Sequence, residues 1–164
     1  MKKPLLFEVP AGFSFVQLFC ICLGVGLDQL SKQYVNRNMH FFDVIHVIPD
    51  RISIQLVHNY GAAYGLFQNQ RIFLLLVSAV VIAASFLCFR YLVRSAWTSW
   101  GLSFLLMGAI GNVIDRLLLG YVIDFIDIRL FPVFNVADVC INIAVALFII
   151  EMIVLRDEDN RRDK

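Results

Sequence analysis

Four long apolar stretches, at about 13–35, 72–89, 100–118 and 135–155, limit this chain to very few folds. Each approaches the roughly 20 mostly apolar residues that a helix needs to cross a bilayer. In hydrocarbon every backbone N–H and C=O must be paired within the segment, which selects helices here. Composition agrees: 60% of the 164 residues are hydrophobic and 16% charged, against roughly 45–50% and about 25% in soluble domains. A single integral-membrane domain over 1–164 is expected, with longer external loops at 36–71 and 119–134. A net charge of +1 gives no argument for nucleic acid.

The placement of charge along the chain says more than its sum. Lys2, Lys3, Arg90, Arg94, Arg156, Arg161, Arg162 and Lys164 fall on the side of both termini and the middle loop. Arg37, Arg51, Arg71 and Arg129 fall on the other side. The excess of Lys and Arg predicts cytoplasmic termini. Lys2 and Lys3 also precede an apolar run, but that run is too long for a signal peptide and Phe19 before Cys20 is not small. A retained first span is expected. Cys20, Cys22, Cys88 and Cys140 lie in apolar stretches without a C-x-x-C spacing and are expected as buried structural thiols.

Against this apolar background the ionisable residues gather at one depth. At 1.5 Å per residue, Asp28 and Asp115 lie roughly 22 Å along their spans from the inner end. Asp138 enters its span about 5 Å from the outer side. Intramembrane acids are expensive, and acids converging at one level point to a shared site. Asp124, in Val122-Ile123-Asp124-Phe125, stands in a short connection before Phe134-Asn135-Val136-Ala137-Asp138. Asp124 and Asp138 can therefore meet at one membrane face, and two close carboxyls sharing one proton are suited to acid–base hydrolysis.

Each motif also has a plainer reading. Asp28 and Lys32 at i, i+4 suit a helix-surface ion pair, with Lys32 reaching the interface; alternatively Asp28 organises a site. Gly108 and Gly111 suit close helix contact, while Asn112, Asp115 and Arg116 would turn a polar face into the bundle or onto substrate. Asn135 and Asp138 read equally as a helix cap, Asp124 as a solvated loop acid, and Asp127 as solvated. His40, His46 and His58 share one loop without metal spacing, so neither metal nor organic cofactor is expected. Within 36–71, Val44–Ile48 and the alternating Ile52-Ser53-Ile54-Gln55-Leu56 suggest two strands about a Pro49-Asp50 turn. Asn59-Tyr60-Gly61-Ala62-Ala63-Tyr64-Gly65 suggests an interfacial segment. The expected fold is thus a membrane all-α bundle of four transmembrane helices with a small external β-sheet.

Taken together, the motifs resemble those of the bacterial lipoprotein signal peptidases, the type II signal peptidases. The resemblance runs through Asp28-Gln29-x-x-Lys32, Asn59-x-Gly61-Ala62-Ala63-x-Gly65 and Gly108-Ala109-x-Gly111-Asn112-x-x-Asp115-Arg116. It continues in Val122-x-Asp124-Phe125 and Phe134-Asn135-x-Ala137-Asp138. One departure is Val139, where the family commonly has serine. The resemblance implies a membrane aspartyl endopeptidase that cleaves prolipoproteins before a diacylglyceryl-modified cysteine. It implies Asp124 and Asp138 as the catalytic pair, with Asp28, Lys32, Asn59, Gly61, Asn112, Asp115, Arg116 and Asn135 binding or supporting. It further implies a bacterial inner-membrane setting with the active site near the outer face, membrane lipid as surroundings, sensitivity to a globomycin-type inhibitor, and a monomer. Rival readings are an ion-relaying membrane protein and a non-catalytic lipoprotein-binding chaperone. A relay needs polar groups through the whole membrane, and a chaperone has no need of paired carboxyls.

Overall fold

The computed structural model describes residues 12–93 and 95–162, with backbone alone for 155–162. Lys2, Lys3, Arg94 and Lys164, used above for orientation, lie outside the described residues, and of Arg156, Arg161 and Arg162 only the backbone is described. Five helices and three strands follow in the order α1 (Phe15–Asn38), β1 (Val44–Ile48), β2 (Ile52–Asn59), α2 (Arg71–Leu87), α3 (Phe89–Leu92), α4 (Ala96–Leu118), β3 (Val122–Asp127) and α5 (Val136–Arg162).

Three helical segments are long and apolar enough to cross a membrane: Phe15–Asn38, Ala96–Leu118 and Val136–Val154. The second apolar stretch forms a 17-residue helix, α2, which stops at Cys88 and resumes as the single turn α3. The chain is mostly helical and is a multi-pass membrane protein with a small sheet.

Local sequence sets the helix ends. Ser14 accepts from the Gln17 amide while the Gln17 side chain accepts from Ser14 N, a reciprocal cap that starts α1. Ser95 caps α4 through Trp97 N and Thr98 N. Helix α4 is the hub, packed on α5, α1 and α2. Two glycines on it permit close approach. A Cβ on Gly108 would strike the Ala137 carbonyl and Ile141, and one on Gly111 would come within 2.6 Å of Asp28 Oδ2. Any larger residue at either position would push α4 away from α5 or α1.

The sheet is antiparallel in the order β1-β2-β3. The β1–β2 hairpin turns at Pro49-Asp50 as expected, with Asp50 left-handed at φ 61°. The third strand is a correction to the sequence reading, which left 122–127 in a connection. Here Asp124 pairs with Val57 and Val122 with Asn59. Asp127 is likewise not a solvated acid, because it is half-buried and accepts from Ser53 Oγ and Gln55 Nε2. The interfacial segment contains a short 3-10 turn, Ala63–Gly65, with Tyr64 exposed.

The apolar core forms three clusters. Val35, Met39, Leu56, Ile123 and Phe125 join the end of α1 to the sheet. Ile21, Leu106, Met107 and Cys140 join the helices, and Phe89, Val93 and Leu102 close the far end. Of the cysteines only Cys140 is buried; Cys20 is intermediate, while Cys22 and Cys88 are exposed. An apolar stretch in a bilayer has a lipid-facing side, so its thiols need no protein cover.

Candidate active site

At the sheet end of the bundle, α1, α4 and α5 bring together the charges that the sequence spaces so widely. Asp28 and Lys32 are each 1% exposed, so their ion pair is an internal one and Lys32 does not reach the interface. Lys32 Nζ lies 2.8 Å from Asp28 Oδ2, 3.0 Å from Asp115 Oδ2 and donates to Asn112 Oδ1 at 3.0 Å. All three donor positions of the ammonium are used. The two acids then fasten other elements: Asp28 Oδ1 accepts from Ala137 N at 2.8 Å, and Asp115 Oδ2 from Ile123 N at 3.1 Å. One buried cation thereby ties α1 and α4 to the start of α5 and to β3. Isolated, such charges would cost several kcal/mol each; satisfied on every side, they hold a register.

Gln29 belongs to this cluster too, donating to Asp115 Oδ1 at 2.9 Å and to the Gly111 carbonyl. The list of supporting residues read from sequence omits it. Its place in the Asp28-Gln29-x-x-Lys32 motif, a polar amide between two charges in an apolar span, was the available signal.

Asn112 passes this order on to the acids beyond. Its Oδ1 accepts from Lys32 and from Asn135 Nδ2 at 3.2 Å, so its own amide hydrogens face outward. They donate to Asp138 Oδ1 at 2.9 Å. A donor-only lysine thus fixes which way the amide points. Asp138 Oδ2 accepts from Asn135 N at 3.2 Å, while Asp138 N donates to Asn135 Oδ1 at 2.9 Å. The capping reading of this tetrad is therefore correct, and it coexists with a site role.

Asp124 approaches from the sheet. Strand β3 aims it inward, where Asn135 Nδ2 donates to Oδ1 at 2.6 Å and Asn59 Nδ2 to Oδ2 at 2.9 Å. Asn59 Oδ1 in turn accepts from Gly61 N, and the Gly61 carbonyl accepts from Arg116 at 3.0 Å. Arg116 thus braces the 59–65 segment over the acids. Burial, and next the neighbouring Asp138 charge, push the Asp124 carboxyl up to about 7, with the Asn59 and Asn135 hydrogen bonds and Lys32 opposing. An acid with that value carries a proton for half the population near neutrality.

Asp124 and Asp138 open into one cavity of about 840 Å³. Asn59, Ser78, Asn112, Arg116 and Asn142 supply its other polar groups, with Tyr64 also in the lining. Its apolar lining includes Leu74, Val77 and Val81 from α2, Leu105 and Ala109 from α4 and Ile141 from α5. Sequence reasoning did not find that lining, although Ser78, a polar residue within α2, marks its cavity side. The site therefore joins two acids, the amides that orient them and a largely apolar groove. Such a set can activate water against a carbonyl held at a boundary between lipid and solution.

Comparison with known proteins agrees with this arrangement. The family model described as signal peptidase (SPase) II matches residues 20–154. A lipoprotein signal peptidase of Enterococcus faecalis (strain ATCC 700802 / V583) is 39% identical over 133 residues, covering 79% of this chain and 83% of that one. One from Moorella thermoacetica is 36% identical over 149 residues, covering 88% and 97%. A bacterial membrane enzyme solved by the in meso method at 2.3 Å superposes with a TM-score of 0.84 at 31% identity, over 93% of this chain and 96% of that one. A second, at 1.9 Å, gives 0.78 at 31% identity over 86% and 95%. With these matches spanning nearly the same residues that build the two-acid cavity, the chain belongs to the signal peptidase II family.

Proposed function

We propose that Asp124 and Asp138 are the catalytic pair of a lipoprotein signal peptidase that cleaves prolipoproteins before a diacylglyceryl-modified cysteine. The observation that carries this reading is the opening of two carboxylates, one buried and one half-buried and on different elements, onto one cavity with a largely apolar lining. Asp138, held by two N–H donors at the first turn of α5, is the charged partner and takes a proton from water. The hydroxide so formed adds to the carbonyl preceding the modified cysteine, while Asp124 gives its proton to the carbonyl oxygen. When the tetrahedral adduct collapses, Asp138 returns its proton to the leaving amine and Asp124 recovers its own from the adduct hydroxyl. Arg116 and Asn59 hold the 59–65 segment against the substrate's extended backbone. The apolar wall takes the signal-peptide side chains or the acyl chains.

The same reading has α2 and α3 together as a fourth crossing, with the termini cytoplasmic and the site near the outer face of a bacterial inner membrane. The enzyme acts as a monomer. A globomycin-type cyclic peptide would compete for the cavity.

Cleavage of a diacylglyceryl-modified prolipoprotein by the purified chain tests this directly. Asp124→Asn and Asp138→Asn should each lose about 10³-fold or more in turnover, consistent with loss of a general acid or base, while remaining folded in the membrane. Substantial activity in both variants would move the active site elsewhere.

A further inference from the structure

Strand β3 separates two cavities. Asp124 faces the one already described; the next residue, Phe125, points to the other side, as strand alternation requires. There it lines a second cleft of about 480 Å³ between the end of α1 and the sheet. Tyr34, Met39, Ile45 and Ile54 form its other apolar walls, and Ser31 and Asn38 are its polar contributors. None of these residues touches the two acids or their amides.

The cleft is continuous with the lipid-facing flank of α1. Leu27, Leu30 and Tyr34 are 55%, 66% and 70% exposed, and the last of them is also a cleft wall. On the far lip lies β1, an edge strand in which every residue is exposed. Its Val44, Ile45, Val47 and Ile48, with the preceding Phe42 at 99% exposure, form an apolar rim. An exposed apolar edge strand in water invites aggregation, and so large a patch marks a surface that meets something apolar. The lipid-facing helix leads directly into it.

We propose that this cleft is a phospholipid site, in which an acyl chain from the leaflet at this end of the bundle lies against Phe125, with the β1 rim seated in the same leaflet. The ligand is a bulk membrane lipid; the cleft is separate from the groove for the reacting substrate. Asn38, whose Nδ2 keeps one hydrogen beyond the one it donates to the Tyr34 carbonyl, lies where the ester region of such a lipid would find a hydrogen-bond donor.

The test uses the full chain in phosphatidylcholine vesicles doped with phosphatidylcholine carrying a diazirine on its acyl chain. Adducts are mapped after illumination by proteolysis and mass spectrometry. Leu27 and Leu30 report bulk lipid. Met39 and Phe125, 8% and 6% exposed, can be reached only by a chain inside the cleft. Adducts on Met39 and Phe125 are expected, and Ile45→Trp, which fills the cleft, should abolish them while leaving those on Leu27 and Leu30. Bulk labelling without Met39 or Phe125 adducts overturns the proposal, as does labelling that Ile45→Trp leaves unchanged. Prolipoprotein cleavage measured on the same vesicles separates the two readings, since the lipid adducts do not depend on catalysis.

Discussion

Four aspartates, three of them buried and Asp138 half-buried, stand within one layer of this protein, and they fall into two unlike pairs. Asp28 and Asp115 share the ammonium of Lys32 and fasten backbone amides of α5 and β3. Asp124 and Asp138 receive side-chain donors only from neutral asparagines, and both open to a cavity. A carboxylate matched by a cation and a backbone amide serves here as a fastener. One matched by amides alone is oriented but left free to exchange a proton. The same residue type thus meets different donors in the two pairs, and Asn112 links them by accepting from Lys32 and donating to Asp138.

Removing the cation is the strongest way to break this contrast. Lys32→Met should destabilise the folded protein by about 3–5 kcal/mol, the usual cost of stranding buried charge, read as a fall in thermal midpoint. A variant with unchanged midpoint but reduced kcat would instead place Lys32 in the chemistry.

The second contrast is in pH. Asp124 is raised from 3.8 to about 7 by burial and by Asp138, so the folded state holds that proton more tightly than the unfolded chain does. Its favourable contribution is complete below about 4, falls as pH climbs toward about 7, and then levels off. Thermal midpoints should decline over that window, and Asp124→Asn should lose that part of the decline. Turnover should fall about tenfold per pH unit above about 7, because the proton donor is gone; a rate flat to pH 9 would sink the assignment of Asp124 as the acid.

Asn112→Ala probes the junction. It removes a donor from Asp138 and an acceptor from Lys32, with an expected cost of about 1–3 kcal/mol, shared between a lower midpoint and slower turnover. An effect on only one of these would show that the two pairs work independently. The smallest effect is expected at Arg129, whose ion pair with Asp50 is 68% and 82% exposed. Arg129→Ala should change neither midpoint nor rate measurably, as is usual for solvated pairs.

Much of this was legible from spacing alone. Apolar length located the helices, alternation located the β1–β2 hairpin, and the common depth of Asp28, Asp115 and Asp138 anticipated their meeting. What spacing did not carry was the side of an element. An i, i+4 Asp–Lys pair is identical in sequence whether it faces lipid, water or protein, so the burial of Lys32 required knowing that Gly111 lets α1 and α4 close over it. Strand β3 was hidden because its partner, β2, lies more than sixty residues earlier, with no neighbouring turn to announce the pairing. Cys22 and Cys88 looked buried because a bilayer and a protein core demand the same composition.

Asp138 carries one more consequence, through its place in the cap of α5. In the mechanism we propose, the side chain that closes the first turn of that helix is also the one that gains and loses a proton in every reaction cycle. Its grip on Asn135 N is firm as a carboxylate and weaker once protonated, so the helix start should slacken and retighten with each turnover. The opening of α5 is then a built-in clock for catalysis, and exchange of the Asn135 amide hydrogen would register its beat.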